Sequence, residues 1–553
     1  MYIDSCTYTV KGNTYTRHLL RESFREKGKV CHRTLANLSH ASDAEIQALK
    51  LALKHKHDLQ QLGNVNEHIR VQQGLSVAAV VTLWQLAKRL GLVQALGNSQ
   101  QGKRALWQVL ARVIDQGSRL SAVRLATSHA ACDVLGLDAF DEDDLYENLD
   151  WLAANQDDIE DKLFRSRYGA QKPDLYLYDV TSSYFEGVCN ALAAFGYCRD
   201  GKKGKMQVVY GLLCDFQGIP VSIQAFAGNT VDTKTFGKQV HKVTERFGGG
   251  SVTMVGDRGM IKGPQIEQLQ AEKDHEFHYI TAITKSQIET LLKQDVVQLE
   301  LFDETVSEVI AKEGVRYVLR RNPTRAAEMA ATRASKFAKL QKLVSKQNTY
   351  LAEHPRASVA VAQRNVDQKW KKLRLPPVQV MVDSRTLSLS KDEQPWNETA
   401  KLDGCYCLKT DLNKKQATKE IVHQRYKDLS QVEWSFRTSK TVHLEARPIY
   451  VRLESRTRGH LFVVMLAYLL VQELAKCWRD LDMTVEEGID ELKTLCTTQV
   501  SVQGNVLLHN VPDPRPSVQR LLDAAQVELP SKIPSRGVTV STRKKLVQER
   551  KTA

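Results

Sequence analysis

The chain opens on alternating polar and apolar positions. Residues 1–40 alternate around Lys11–Gly12–Asn13, a turn signal that predicts a hairpin, and end in a basic stretch. From about 42 the period lengthens. Ser42 stands where an N-cap belongs, before DAEIQALKLALK, and apolar residues recur at three-to-four spacing through VAAVVTLWQLAKRLGLVQAL and ALWQVLARVID. This pattern predicts helices out to about 170. The acidic run DAFDEDDLYENLD (138–150) reads as a solvated helix N-terminus, where the helix dipole favours negative charge. At 174 the texture changes again. DLYLYDV, MQVVYGLLCDF and IPVSIQAFAG read as strands, with Leu175, Leu177 and Asp179 sharing one face and a turn at Gln217–Gly218. Asp232 is placed to cap a helix over 233–246. SVTMVGD is a fourth strand, KGPQIEQLQAEKD a helix, and FHYITAI (277–283) a fifth strand.

Three strands, helix, strand, helix, strand is the order of a ribonuclease H-like α/β core, which needs one more helix. About 130 residues of different character come first. They hold β-like runs (VVQLELFDE, VRYVLRR, PPVQVMVD, GCYCLKTDL) and helical stretches from Thr324 to about Leu351 and from about Ser358 to Leu373. An amphipathic helix over 417–441 then follows. The expected organisation is a small β-rich element over 1–40 and a helical DNA-binding region over 41–170. The α/β core is split into 171–286 and 413–480 by a mixed β/α insertion domain over 287–412, and a helical region with a basic tail closes the chain over 481–553.

Composition narrows the partner. A chain of 553 residues, 42% apolar and 26% charged, has the make-up of a globular protein of several domains. Its net charge of +14 favours a polyanion, nucleic acid before an anionic membrane. The ten cysteines form no zinc-ligand spacing, and Cys405–Cys407 is too tight and isolated for one, so free thiols in a reducing compartment are expected. The apolar run 461–471 is too short to span a bilayer, and the first residues lack a signal layout. A cytoplasmic protein without a membrane partner is expected.

Three acids stand in settings that suit chemistry at phosphorus. Asp179 ends DLYLYDV, Asp257 ends SVTMVGD, and Glu433 lies on the helix RYKDLSQVEWSFRTSK. Gly256 and Gly259 flank Asp257–Arg258 and allow a sharp turn after the strand. Carboxylates suit Mg²⁺, and two ions roughly 3.5–4 Å apart activate the attacking oxygen and stabilise the leaving one. Two Mg²⁺ ions, with Mn²⁺ able to substitute, are therefore expected on Asp179, Asp257 and Glu433, with Asp179 bridging. Each acid alone also has a plainer role, since strand-end aspartates cap turns and helical glutamates are commonly solvated. The stripe around Glu433 bears on the choice. Tyr426, Glu433 and Lys440 recur every seven residues, and Arg437 lies one turn past Glu433. Phenol, carboxylate, guanidinium and ammonium on one stripe suit an acid beside a phosphate clamp rather than a core.

On these residues the chain resembles the DDE transposases of bacterial insertion sequences. It is similar in particular to the group with a Tyr-x-x-Arg-x-x-x-Glu-x6-Lys signature and an insertion before the last acid. The resemblance is carried by LYDVTSSYFEG, QVVYGLLCDFQGIPVSIQAFAGNTVDTKTF, VGDRGMIKG and YKDLSQVEWSFRTSKT, in that order, over roughly 174–475. RPIYVRLESRTRGHLFVVMLAYLL and the N-terminal hairpin with RTLANL are similar to the same group. The resemblance implies catalytic and metal-binding roles for Asp179, Asp257 and Glu433, and phosphate contacts from Tyr426 and Lys440. Arg437 and Arg258 are further candidate DNA contacts. The signature's arginine position holds Leu429, and Arg425, one turn earlier, is its candidate substitute. The group also sets an aromatic of its insertion against a flipped base, and Trp370 and Trp396 are the tryptophans available there. The basic helix with Arg325, Arg333, Lys336, Lys339, Lys342 and Lys346 lines a DNA channel or is a solvated face. Arg543–Lys544–Lys545 touches DNA or is disordered.

The expected function is a DNA transposase that binds terminal inverted repeats through its N-terminal regions and pairs two ends as a homodimer. It would nick the double-stranded DNA and join the freed 3′-hydroxyl to a target, by cut and paste and often through a hairpin. A catalytically silent DNA-binding protein or repressor is the rival, against which the three intact acids argue. A nuclease without joining activity would share every catalytic residue.

Overall fold

In the computed structural model the described residues are 1–11, 13–57, 69–187, 189–247, 251–271, 276–311, 314–441, 444–502 and 505–543. Gly12 of the expected hairpin turn, and Lys544 and Lys545 of the tail, lie outside them. The chain divides into two units. The first comprises Met1–Ser76, Leu495–Asp513 and Leu529–Ser535. The second comprises Val77–Thr494, Pro514–Glu528 and Arg536–Ala553.

In the first unit the alternating N-terminal sequence forms an antiparallel meander of β1 (Tyr2–Val10), β2 (Asn13–Glu26) and β3 (Lys29–Asn37). Tyr8 lies opposite Tyr15 across the hairpin and stacks on it at 6.0 Å. Ser42 caps the helix Asp43–Lys54 through a reciprocal bond with Glu45, as its sequence predicts. Two stretches differ from their helical reading. β4 (Ile69–Ser76), inside 41–170, pairs with β15 (Cys496–Val502), inside 481–553, and β15 pairs with β16 (Asn505–Asn510). IRVQQGLS and CTTQVSV carry little apolar period of their own. Their strand state comes from pairing with sequence more than four hundred residues away, which a local pattern does not register.

The second unit is mixed α/β around an eight-stranded mixed sheet, in the order β10-β11-β14-β9-β8-β5-β6-β7. β5 (Leu175–Tyr184), β6 (Gln207–Asp215) and β7 (Pro220–Ala227) are antiparallel, while β8 (Ser251–Gly256) and β9 (Glu276–Ala282) join β5's other edge in parallel. These five strands, with helices Asp232–Lys242 and Gly263–Ala271 between them, are consistent with the expected ribonuclease H-like order. Asp232 is the first residue of its helix rather than the cap, which is Val231.

Both faces of the sheet are covered, which is why β6 is buried throughout. Tyr176, Tyr178 and Val180 pack on one face with Phe236, Val240, Ile266 and Leu269 of the crossover helices. The odd-numbered residues of β5 point the other way, toward helix Leu429–Lys440, where Tyr210 meets Phe436 edge-on at 5.8 Å, while helix Glu454–Cys477 packs on β7. Glu454–Cys477 is long and apolar enough to cross a membrane by length and composition, but Leu461–Val471 is buried inside this unit.

The expected insertion, 287–412, takes two forms. β10 (Ser307–Ile310), β11 (Arg316–Arg321) and β14 (Cys405–Thr410) extend the central sheet beyond β9. Helices Pro323–Glu353, Val359–Leu373 and Glu393–Lys401, with hairpin β12 (Val378–Asp383) and β13 (Thr386–Lys391), build a separate apolar cluster. VVQLELFDE is not a strand. Leu299–Leu301 is a single 3₁₀ turn, because Val297 and Phe302 bury against Ile283, Leu319 and Cys407 instead of pairing along an edge.

One buried charge fixes the return from this segment to the core. Arg316 of β11 is 1% exposed and donates through Nη1 to the carbonyl oxygens of Leu412 (2.6 Å) and Ala417 (2.9 Å). Its Nη2 pairs with Glu308 at 2.7 Å. It thus holds both ends of the loop that leads into the helix before Glu433. Arg316→Ala should cost about 3–5 kcal/mol by urea unfolding, the scale of a broken buried pair. A loss below about 1 kcal/mol would mean the clamp is not structural.

Candidate active site

β5 does not end at Asp179. It runs on to Tyr184, and Asp179 is its fifth residue. What ends there is its parallel partner. β8 stays in register with β5 through Tyr178 opposite Gly256, and one further step sets Asp257 beside Asp179. The chain then turns, with Met260 N donating back to the Asp257 carbonyl oxygen at 2.9 Å. Neighbouring strands are roughly 4.8 Å apart, so the register alone brings two carboxylates together.

Glu433 arrives from the opposite side. The single helix expected over 417–441 is two helices, Lys419–Lys427 and Leu429–Lys440, meeting at Asp428. Thr418 caps the first, its hydroxyl accepting from Ile421 N. Val432 and Phe436 of the second are buried, which leaves Glu433 exposed beside the sheet.

Asp179, Asp257 and Glu433 line one cleft of about 490 Å³. Tyr426 also lines it, its phenol donating to Asp257 Oδ1 at 3.1 Å. Asp257 Oδ1 also accepts Arg258 N, and Asp179 Oδ1 accepts Val180 N, both at 2.7 Å. Among the described residues none of the three acids is in an ion pair. Burial pushes the Asp179 carboxyl up to about 7, with the charges of Asp257 and Glu433 adding to the rise and the bond from Val180 N opposing it. Burial, and then Asp257, push the Tyr426 phenol up as well.

The candidate DNA contacts part company. Arg258 and Tyr426 line the cleft, together with Lys285 and Lys427, two cations that the sequence reading passed over. Leu429, at the signature's arginine position, is buried in the same wall, and Arg425 does not line it. Arg437 lines a neighbouring cavity of about 580 Å³ that it shares with Glu433 and the half-exposed Trp434. Lys440 is turned into the protein. Its Nζ donates to Thr181 Oγ1 (2.7 Å), to the Ser182 carbonyl oxygen (2.5 Å) and to the buried Asp200 (3.0 Å), which also pairs with Arg447. Burial lowers the Lys440 ammonium despite that carboxylate. The break at Asp428 separates Tyr426 from Glu433, while Lys440 stays on the helix of Glu433.

Neither insertion tryptophan presents a free ring. Trp396 is buried, meets Phe337 edge-on at 5.3 Å and donates to the Pro377 carbonyl oxygen at 2.9 Å. Trp370 packs on the same cluster and donates to the carbonyl oxygens of Leu375 and Pro376. On the basic helix, Arg333 forms a fork to Asp403 and Arg325 pairs with Glu328. Lys336, Lys339, Lys342 and Lys346 show no ion pair among the described residues, whereas Arg543 in the tail pairs with Asp141 at 2.5 Å. Asp200 was invisible to pattern reading, because the stretch around it has neither helical nor strand period.

The family model of the transposase DDE domain matches residues 171–470, which contain all three acids. The chain belongs to the DDE transposases. The N-terminal domain of IS1634 family transposases matches residues 5–66. Among solved structures the chain is similar to the piggyBac transposase synaptic complex with hairpin DNA. That likeness has 9% identity and a TM-score of 0.36, over 70% of this chain and 69% of that one. No curated protein matches.

DDE transposase domains generally use divalent metal ions. Among the described residues of this transposase no three His, Cys, Asp or Glu form a ready-made metal cluster. The donor set still fits the group. Three carboxylates face one cleft without an ion pair, and Asp179, raised by burial and then by the other two acids, bears a charge that a cation would stabilise.

Two outcomes test this geometry. Asp179 ionises near pH 7 in the folded chain and near the ordinary 3.8 when unfolded, so its charge destabilises the fold increasingly between those values. With chelator present, Asp179→Asn should raise unfolding stability by on the order of 4 kcal/mol above pH 7, and by nothing below pH ~4. A pH-independent difference would refute the coupling. Lys440→Met should cost about 1–3 kcal/mol in the DNA-free protein, because it strips a partner from Asp200. Unchanged DNA-free stability would return Lys440 to the role of a pure phosphate contact.

Proposed function

We propose that this DDE transposase cuts DNA at the ends of an insertion sequence and joins the freed 3′-hydroxyl to a target phosphodiester, by cut and paste. The observation that carries the reading is the convergence of Asp179, Asp257 and Glu433 on one open cleft rimmed by Arg258, Lys285 and Lys427. Asp179, Asp257 and Glu433 would hold two Mg²⁺ ions, or Mn²⁺ in their place. Bound there, the ions would supply charge to stabilise a pentavalent phosphorus centre and lower the pKa of an attacking oxygen.

The chain's own side chains supply position. The rim cations attract and orient the phosphodiester backbone. Tyr426 holds Asp257 by its phenolic hydrogen and keeps that carboxylate turned into the cleft. Hydrolysis breaks the bond between phosphorus and the 3′-oxygen, leaving a 3′-hydroxyl and a 5′-phosphate. In joining, that hydroxyl replaces water and the target's own 3′-oxygen leaves, so the number of phosphodiester bonds is conserved. The N-terminal match, and the aromatic and arginine side chains on β1–β3, support recognition of the terminal repeats by this part of the chain. A homodimer pairing two ends, and a cytoplasmic location, complete the reading.

The test is cleavage and joining of labelled DNA carrying the element's ends, with Mg²⁺, in wild type and Glu433→Gln. Wild type should cut and join, and the variant should lose at least roughly a hundredfold in rate with end binding retained. Binding without cleavage by wild type would make the protein a silent end-binder. Cleavage without joining would make it a nuclease.

A further inference from the structure

The largest buried charge outside the sites already described belongs to two arginines. Arg112, near the end of helix Gln100–Ile114, and Arg119, opening helix Arg119–Ser128, are each 5% exposed. Buried guanidiniums ordinarily face carboxylates, because a buried charge without its opposite is strongly unfavourable. Among the described residues neither arginine forms an ion pair. Arg112 Nη1 donates to the carbonyl oxygens of Gln116 (2.5 Å) and Leu444 (3.5 Å), and Arg119 Nη1 to Gln108 Oε1 (2.8 Å). Arg112 Nε is buried without a partner. Glu445 and Asp115 lie within electrostatic reach of Arg112, but Asp115 accepts the Ser121 hydroxyl instead. Burial, and then the two guanidiniums beside it, push the His460 ring well below its ordinary value.

These groups surround a pocket of about 170 Å³ that shares no lining residue with the acid cleft. Arg112, Arg119, Arg447 and His460 line it, with Glu445 the one acid among its lining residues. Arg447 connects it to the chemistry, since its guanidinium also pairs with Asp200, which anchors Lys440 at the end of the Glu433 helix. Two buried guanidiniums, with Arg447 beside them and Glu445 as the one acid, leave positive charge in excess, and that is the chemistry of phosphate recognition. The pocket is also small for a nucleoside.

We propose that this pocket binds a phosphate group, and that its occupant is a backbone phosphate of the DNA the transposase holds, outside the acid cleft. The phosphate balances the positive charge that Glu445 alone leaves in excess, and fixes the strand against the segment that anchors the Glu433 helix. The proposal rests on the DNA-processing reading above.

The experiment replaces each phosphate near the element's end, in turn, by a neutral methylphosphonate. Affinity is measured for the full chain and for Arg119→Gln. One position should weaken wild-type binding about ten- to a hundredfold, the strength of a charge-assisted hydrogen bond, and leave the affinity of the variant unchanged. Should Arg119→Gln fail to fold, Arg119→Lys carries the comparison, with a reduced but position-specific effect because an ammonium cannot fork. If both proteins bind the ends and no position shows this coupling, the pocket holds no DNA phosphate and the proposal fails alone. Inorganic phosphate that stabilises wild type but not the variant, without coupling in the DNA scan, would make it a free-anion site and equally overturn the assignment. Wild type that binds no end DNA would overturn both this proposal and the transposition reading.

Discussion

The cleft that holds the three acids depends on one register. Because β5 and β8 are parallel and paired through Tyr178 and Gly256, the next residue on each strand is an aspartate. Alternation along β5 then decides which face receives the first of them. Tyr176, Tyr178 and Val180 are taken up by the crossover helices, so Asp179 must point toward the C-terminal helices, where Glu433 waits. A slip of one residue would bury the carboxylate among tyrosines and phenylalanines and turn a tyrosine into the cleft. The acids are therefore a property of the sheet, held in place by apolar burial on the face they do not use.

The helix stripe through Tyr426, Glu433 and Lys440 fixes the third acid by a similar division of labour. Tyr426 reaches Asp257 just past β8, and Lys440 reaches Thr181 and Ser182 on the run of β5 beyond Asp179. The two successive helices are thus tied to the segments that carry the other acids, the first through Tyr426 and the second through Lys440, with Glu433 between the ties. A residue pattern that reads as a phosphate clamp in sequence is, in the folded chain, first a set of positioning contacts. Any DNA phosphate that engages Lys440 must displace it from Asp200, a carboxylate that also holds Arg447.

The strand and helix order of the central domain, and its three acids, could be read from sequence because each core strand is a dense apolar run with a turn residue at its end. What stayed hidden depends on partners distant in the chain. β4 and β15 are made by pairing with each other. β14 joins the central sheet because β9 offers an open edge, a fact no window around CYCLKT contains. β5 overruns Asp179 because β6 continues to pair with it after β8 has stopped. The tryptophans show the same limit. The resemblance implied a ring to stack on a base, but whether a ring is free depends on neighbours such as Phe337 and on carbonyls such as that of Pro377.

Net charge needs the same correction. The chain's excess of +14 predicted a polyanion, but several of its arginines are not available to one. Arg316 is buried with Glu308, Arg333 is forked onto Asp403, and Arg246 is ringed by Asp157, Glu160 and Asp161. A buried, paired arginine adds to the formal total yet contributes little to the field that DNA meets. The cations that matter for binding are those whose charge is left uncompensated near the site. Under the proposed reading these are Arg258 and Lys427 at the cleft rim and the buried Arg112 and Arg119, whose pocket holds Glu445 as its one acid, whereas Lys285 at the rim pairs with Asp403 at 3.6 Å. The salt dependence of DNA affinity counts phosphates neutralised by such groups, so it measures this small set and not the composition.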